Sequence, residues 1–249
     1  MQISRSLLKR RMISAIITTD VAFILLKNQD IVKEDLIMKK ITDKLYQFSI
    51  YIPPMNFTIH QYLLDTDPAI LFATGTVQQA EAILPDIKKI LGDKLLKYIF
   101  VSHVESDECG GISVLKKAYP DVTVICGTLA ARELPGYGYT GSIQMEKGGE
   151  TLTDGDLKLN FVNYPSEVHL QNGVLCLEEN SGILYSADIA LRFGNGVGKT
   201  IKGSWKDEVN AISAERVPNE KACAKLKEDL GAISPDLIAV GHGFCIECR

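Results

Sequence analysis

The chain has 249 residues, of which 46% are hydrophobic and 23% charged, a composition typical of a folded globular protein rather than a disordered one. Lys and Arg number 27 against 31 Asp and Glu, so the formal net charge is −4, which argues against nucleic acid as the main partner. No stretch approaches the ~20 uninterrupted apolar residues that a membrane-spanning helix needs, so we expect no membrane association.

Hydrophobic periodicity predicts strands that alternate with helices. The first elements are a strand pair, Ile59–Leu64 and Ala69–Ala73, joined by a turn at Asp65–Pro68. A helix at Val77–Leu91 follows, and the short apolar run Tyr98–Val101 is typical of a buried central strand. The remaining predicted elements are helices at Gly110–Ala118, Thr128–Leu134 and Asn219–Leu230, strands at Val122–Cys126, Leu157–Val162, Gly173–Leu177, Gly182–Ser186 and Leu237–Val240, and a glycine-rich loop at Gly136–Gly149.

The order of these elements indicates an α/β fold. Runs of strands that recur twice with helices between them predict two sheets packed face to face with helices outside, a four-layer αββα sandwich built as a single domain. We expect residues 1–36 to form an N-terminal extension packed on the core and residues 37–249 to form the domain itself. Six cysteines are too sparse for a disulfide scaffold, which predicts a reducing cytoplasm.

The segment after the strand Tyr98–Val101 carries the strongest chemical pattern. His103, Glu105 and Asp107 are spaced by two residues, and the glycines at 110 and 111 allow a sharp turn into the next helix. Imidazole plus carboxylates is a ligand set for hard-to-borderline divalent metals. A solvated polar loop is the alternative interpretation, since a local motif needs structural context.

Three further residues strengthen the metal-site interpretation. The chain has four histidines, and His169 and His242 both come shortly after predicted strands. Asp188 directly follows the predicted strand Gly182–Ser186. These residues therefore lie near the C-terminal ends of strands, where α/β proteins build their sites.

This array of residues resembles the di-iron domain of the flavodiiron proteins, a branch of the metallo-β-lactamase fold. The resemblance implies that His103, Glu105 and His169 hold one iron ion, that Asp107 and His242 hold the other, and that Asp188 bridges the two. Zinc hydrolases of the fold carry histidine where this chain has Glu105. A hard anionic oxygen in that position favours iron, with zinc or manganese as surrogates.

Several positions depart from the family pattern. Glu108 stands where the family usually has histidine, so it either ligates the second iron or caps the following helix. Ala73–Gly75 replaces an early Asp-Thr pair. His60 stands in place of a common asparagine, and we expect a buried or supporting histidine rather than a ligand. The family also continues past the last histidine into a flavodoxin domain, so we expect this chain to have no flavodoxin domain and no FMN.

Two functions follow from the resemblance, of which the first is favoured. It is that of the flavin-free di-iron proteins, which bind O₂ as a peroxo adduct and are associated with cytoplasmic chemoreceptors. This chain would then be an oxygen or iron sensor, acting as a homodimer with a chemoreceptor partner in chemotaxis. The other is an oxidoreductase that reduces O₂ or NO with electrons from a separate donor protein. A zinc hydrolase is a third, more distant reading.

Two smaller motifs carry weaker signals. Gly194–Thr200 resembles a phosphate-binding loop but has three residues where the motif needs four, so we expect a flexible loop without a nucleotide. Cys245 and Cys248 form a lone C-x-x-C motif, which is either a redox pair or an ordinary C-terminal tail.

Overall fold

Two seven-stranded sheets form the centre of the computed structural model, which describes residues 36–166, 171–214 and 216–248. In the first sheet, β1 to β4 are antiparallel and β4 to β7 are parallel, and the strands lie in chain order. Its strands are β1 (Ile37–Lys40), β2 (Leu45–Ile52), β3 (Phe57–Leu64), β4 (Ala69–Phe72), β5 (Leu96–Val101), β6 (Thr123–Cys126) and β7 (Ser142–Met145).

The second sheet is mixed and is built from the C-terminal half of the chain. Its strands are β8 (Thr151–Asp154), β9 (Leu157–Ser166), β10 (Gln171–Glu178), β11 (Ile183–Ala187), β12 (Thr200–Lys202), β13 (Leu237–Val240) and β14 (Cys245–Glu247). The spatial order is β12-β14-β13-β11-β10-β9-β8. The pair β11 and β13 is parallel, as is the pair β12 and β14.

A layer of aromatic side chains fills the space between the two sheets. The ring of Phe72 from β4 stacks on the ring of Tyr185 from β11 with centroids 5.5 Å apart. Phe100 from β5 meets Phe161 from β9 at 6.2 Å. These side chains are fully buried, so the apolar faces of both sheets exclude water from one common core.

Helices cover the outer faces of the sheets. They are α1 (Val77–Leu91), α2 (Ser106–Cys109), α3 (Ile112–Ala118), α4 (Thr128–Glu133), α5 (Trp205–Ala211) and α6 (Glu220–Gly231), with single 3-10 turns at Pro53–Met55 and Leu134–Tyr137. Helix α1 packs Ala80, Ile83 and Ile87 onto the first sheet. Helix α6 packs Leu226 and Leu230 into the core of the second sheet. The expected four-layer αββα fold is therefore confirmed.

Helix α1 has the predicted bounds because its ends are encoded locally. The Thr76 hydroxyl accepts a hydrogen bond from the Gln79 N–H, and the Gln79 side chain accepts one from the Thr76 N–H, which is a capping box. Gly92 ends the helix at a positive φ of 58°, which glycine adopts readily.

Two predictions about local structure were wrong. The helix expected at Gly110–Ala118 begins at Ile112, because Gly110 is the C-cap of α2, with its N–H donated to the Ser106 carbonyl, and Gly111 is the N-cap residue. The glycine-rich segment 136–149 contains β7, which forms by pairing with β6. The C-terminal segment forms β14, and a redox role of Cys245 and Cys248 stays a prediction.

The cysteine of β14 is enclosed by polar groups of the core. Cys245 Sγ lies 3.5 Å from the Gln47 side-chain nitrogen and 3.4 Å from the Tyr62 hydroxyl. Burial raises the pKa of Cys245 to about 11, so this thiol is protonated at neutral pH. Cys248 is only partly buried. Over the described ranges, the structure has no helix with the length and hydropathy of a membrane span.

Candidate metal centre

Five of the six predicted ligands converge at one edge of the sheets. His103, Glu105 and Asp107 lie on the segment that leaves β5 and enters α2, where Glu105 is the N-cap residue. Asp188 directly follows β11, and His242 comes shortly after β13. Because β11 and β13 are parallel neighbours, their C-terminal ends bring Asp188 and His242 to the same edge.

The carboxylate of Asp188 lies between the two histidines. Its Oδ2 is 3.6 Å from His103 Nε2, and its Oδ1 is 3.2 Å from His242 Nε2. Glu105 Oε2 lies 3.7 Å from His103 Nε2, and Asp107 Oδ2 lies 3.4 Å from His242 Nε2. Two ligand atoms bound to one ion at about 2.1 Å each are roughly 3.0–3.5 Å apart. The observed spacings are close to this range, so the arrangement can hold one ion on each side of Asp188.

The electrostatics of this cluster favour positive charge. Burial alone would lower the pKa of His103, but the Glu105 and Asp188 carboxylates outweigh it and raise the pKa to about 10. Burial also opposes the charged form of His242, yet Asp188 and Asp107 raise its pKa to about 9. Burial raises the pKa of Asp107, and the neighbouring carboxylates add to that rise. A divalent cation would stabilise these carboxylates and displace protons from the imidazoles as it binds.

In each of the two histidines of the centre, the ring nitrogen that faces away from the carboxylates, Nδ1, lies within hydrogen-bond distance of another protein group. The Nδ1 of His242 lies 3.1 Å from the Thr58 carbonyl oxygen, and its ring stacks on Phe57 with centroids 4.4 Å apart. The Nδ1 of His103 lies 2.7 Å from the Ser102 hydroxyl. Both imidazoles therefore present Nε2 to the carboxylates, which is the arrangement that metal-ligating histidines usually show.

Residues 57–243 match the family described as ODP family beta lactamase. The chain belongs to the ODP family. The match spans the segment that carries every candidate ligand, and it confirms the resemblance to flavodiiron proteins of the metallo-β-lactamase fold.

Relatives of this ODP-family chain include redox enzymes. The chain is 22% identical over 206 residues to rubredoxin-oxygen oxidoreductase from Megalodesulfovibrio gigas, covering 77% of this chain and 50% of that protein. It is 24% identical over 160 residues to nitric oxide reductase from Moorella thermoacetica, covering 62% of this chain and 38% of that protein. The chain thus spans about half the length of the first of these relatives and less than half the length of the second.

A solved flavodiiron core from Synechocystis sp. has the same fold. Its structure superposes with a TM-score of 0.69 at 18% identity, over 86% of this chain and 57% of that one.

The sixth predicted ligand, His169, falls within residues 167–170, outside the described residues. Strands β9 and β10 pair on either side of this segment, with Ser166 opposite Gln171. The role of His169 stays a prediction.

Glu108 does not have the exposed position of a solvent-facing helix cap, so the cap alternative is excluded. The side chain is 3% exposed. Its Oε1 accepts a hydrogen bond from the Tyr185 hydroxyl, and its Oε2 accepts from the Ser102 hydroxyl at 3.0 Å and the Ser102 N–H at 3.3 Å. Burial raises the pKa of Glu108 to about 7. Both carboxylate oxygens thus face donors of the protein.

His60 is a buried supporting residue, as expected. Its Nε2–H donates to the Gly243 carbonyl at 2.6 Å, and its Nδ1 lies 2.7 Å from the Ser49 hydroxyl, which donates to it. The backbone N–H of His60 donates to the Gly241 carbonyl at 3.0 Å. His60 therefore fixes both residues that flank His242.

We expect His60→Gln to remove part of the pH dependence of stability. Burial, with a smaller effect of His242, lowers the pKa of His60 from 6.5 to about 3. Between these values the unfolded chain binds a proton that the folded chain does not, so the free energy of unfolding falls as the pH falls, by about 1.4 kcal/mol per pH unit. Urea denaturation at pH 6.5 and about pH 5 should show a wild-type loss roughly 2 kcal/mol larger than that of the variant. Equal losses would contradict this role.

The glycine-rich loop is anchored rather than flexible. The N–H groups of Gly194, Gly196 and Gly198 donate to Asn56 O, Thr58 Oγ1 and Gln47 Oε1 at 2.7, 3.0 and 2.7 Å. The amide hydrogens that a phosphate loop would offer to a ligand are thus donated within the protein, beside the segment that carries His242.

Two residues of the centre, Ser102 and Tyr185, were missed by the sequence analysis. Ser102 directly precedes His103, and this adjacency is the one local signal. Tyr185 lies in the apolar run of β11, and from the sequence alone it is interpreted as an ordinary core residue. These two hydroxyl groups belong to the site because Glu108 is buried between the two sheets, where its carboxylate accepts a hydrogen bond from each of them.

Proposed function

We propose that the chain holds two iron ions and uses them to reduce O₂ or NO with electrons from a separate donor protein. The observation that carries the proposal is the position of Asp188, whose two carboxylate oxygens face the two histidines at 3.6 and 3.2 Å. A carboxylate with one oxygen on each of two imidazole sites is suited to bridge a pair of cations.

The donor atoms support iron. Among the described residues, each histidine of the centre is accompanied by carboxylates, namely Glu105 with His103 and Asp107 with His242. A ligand set that combines hard oxygen donors with imidazole favours iron and manganese. A ligand set of nitrogen donors alone favours zinc. In the proposed arrangement His169 completes the ligands on the side of His103.

The residues of this chain bind and orient the metals. His103 and His242 are both less than a tenth exposed, and the Phe57 ring shields His242 from water. Asp188 directly follows β11, and this attachment to the sheet fixes the position of its carboxylate between the two histidines. When bound, two ferrous ions would supply two electrons to a small diatomic ligand.

A cavity of about 580 Å³ lies beside Glu105. Val104 and Ile112 are part of its apolar lining, and Lys116 and Tyr137 also contribute to its wall. The names of the relatives, a rubredoxin-oxygen oxidoreductase and a nitric oxide reductase, agree with this function.

The proposal is tested by counting turnovers. Protein loaded anaerobically with Fe²⁺ receives O₂ together with an excess of reduced rubredoxin, and O₂ uptake is recorded with an electrode, with the metal-free protein as control. We expect uptake to exceed the iron concentration many times. Uptake that stops at about one O₂ per pair of irons would overturn the reductase and leave the sensor function, with the chemoreceptor partner and homodimer that it implies. Lactonase, thioesterase or β-lactamase activity of the zinc-loaded protein would contradict both.

A cytoplasmic location is part of the same proposal. All six cysteines are free thiols in the structure, which agrees with a reducing compartment. A homodimer stays a prediction.

A further inference from the structure

We propose that Glu108, Ser102 and Tyr185 form a relay that positions His103, so that Glu108 acts behind a metal ligand instead of binding metal itself. The inference rests on the proposed function, since it takes His103 as a ligand. The relay joins the first sheet, which carries Ser102 after β5, to the second, which carries Tyr185 on β11.

The directions of the hydrogen bonds follow from counting hydrogens. The Ser102 hydroxyl has one hydrogen, and it is donated to Glu108 Oε2 at 3.0 Å. The oxygen of that hydroxyl can therefore meet His103 Nδ1, 2.7 Å away, only as an acceptor. Nδ1 must then carry a hydrogen, so a metal that displaces the other proton of the imidazole binds at Nε2. The relay thus selects the tautomer that ligation requires.

Tyr185 fixes the far end of the relay. Its hydroxyl donates to Glu108 Oε1, and its side chain is fully buried among the aromatic residues of the core. Glu108 therefore accepts hydrogen bonds on both oxygens and has one orientation.

The two halves of the centre differ in this respect. His242 is oriented by the backbone carbonyl of Thr58 at 3.1 Å, which no side-chain substitution removes. His103 is oriented by a side chain. We therefore expect the relay to control one of the two metal sites and not the other.

The test compares two serine substitutions. Ser102→Ala removes the acceptor for His103 Nδ1, whereas Ser186→Ala removes a hydroxyl that is equally buried and has no hydrogen-bond partner among the described residues. Zn²⁺ is titrated into each protein in competition with a chromogenic chelator. Ser102→Ala should weaken one of the two binding steps by about 10- to 100-fold, while Ser186→Ala should match the wild type.

A second readout reports the relay without metal. In ¹⁵N-imidazole spectra of the metal-free protein, the Nδ1–H of His103 should be protected from solvent exchange in wild type and Ser186→Ala, and lose this protection in Ser102→Ala. Identical spectra of the two variants would overturn the relay. If the wild type binds no Zn²⁺ or Fe²⁺, the proposed function fails, and these spectra still decide whether the relay exists.

Variants of Glu108 provide the check if Ser102→Ala does not fold. Glu108→Gln retains an oxygen that accepts from the Ser102 hydroxyl, and Glu108→Ala does not. The glutamine variant should therefore lose less Zn²⁺ affinity than the alanine variant. Equal losses, or loss of the ion on the side of Asp107 and His242 as expected for a ligand of that ion, would contradict the positioning role.

Discussion

Asp188→Asn is expected to lose the second metal ion and to weaken the first. Asp188 places one oxygen toward His103 and the other toward His242. An asparagine side chain has one acceptor oxygen, and its amide hydrogens would face the other cation. Loss of a direct ligand should exceed the roughly 10- to 100-fold weakening that follows from losing an outer partner, so elemental analysis should find at most one iron per chain.

The matched control for this prediction is Asp121→Asn. Asp121 is exposed and comes just before β6, at the sheet edge opposite to the one where the ligands follow β5, and the substitution makes the same change of charge. It should leave the iron content unchanged. Two tightly bound irons in Asp188→Asn would show that Asp188 is not the bridge.

Gly196→Ala is expected to have the largest effect on stability. A Cβ at Gly196 would lie 1.7 Å from the Gly243 carbonyl oxygen and 2.2 Å from the Gly243 carbonyl carbon. These are backbone atoms next to His242, so the loop or the ligand segment must move. Overpacking of this kind costs about 3 kcal/mol or more. Urea denaturation should show this decrease in the free energy of unfolding, and the metal site at His242 should weaken with it.

Gly136→Ala separates the clash from a general effect of replacing glycine. A Cβ at Gly136 would meet no atom within 4 Å, so this variant should be as stable as the wild type or slightly more stable. A stable Gly196→Ala protein with unchanged metal binding would contradict the close packing of the glycine-rich loop on the His242 segment.

The fold could be predicted where the sequence signal is local. Helix α1 has both its periodicity and its capping box within Thr76–Leu91, and the predicted bounds are correct. Strand β7 lies in a glycine-rich stretch whose local propensity does not predict a strand. It forms because its backbone pairs with β6, so tertiary pairing outweighs local propensity here. Strand β14 likewise depends on pairing with β12 and β13.

The convergence of the candidate ligands was predictable for a topological reason. Polar residues that follow buried strands meet at one sheet edge, and this rule predicted that His103, Asp188 and His242 lie close together. The role of Glu108 could not be read in the same way. Its neighbours Ser102 and Tyr185 come from different sheets, so only their packing shows that its carboxylate faces inward to hydroxyl groups.

We propose that this ODP-family chain holds two iron ions in unlike environments. Mössbauer spectroscopy of protein loaded anaerobically with ⁵⁷Fe²⁺ tests it most directly, with the iron content measured on the same sample. We predict two irons per chain and two signals of equal area, one from the side of Glu105 and His103 and one from the side of Asp107 and His242. One iron per chain, or none, would contradict the account.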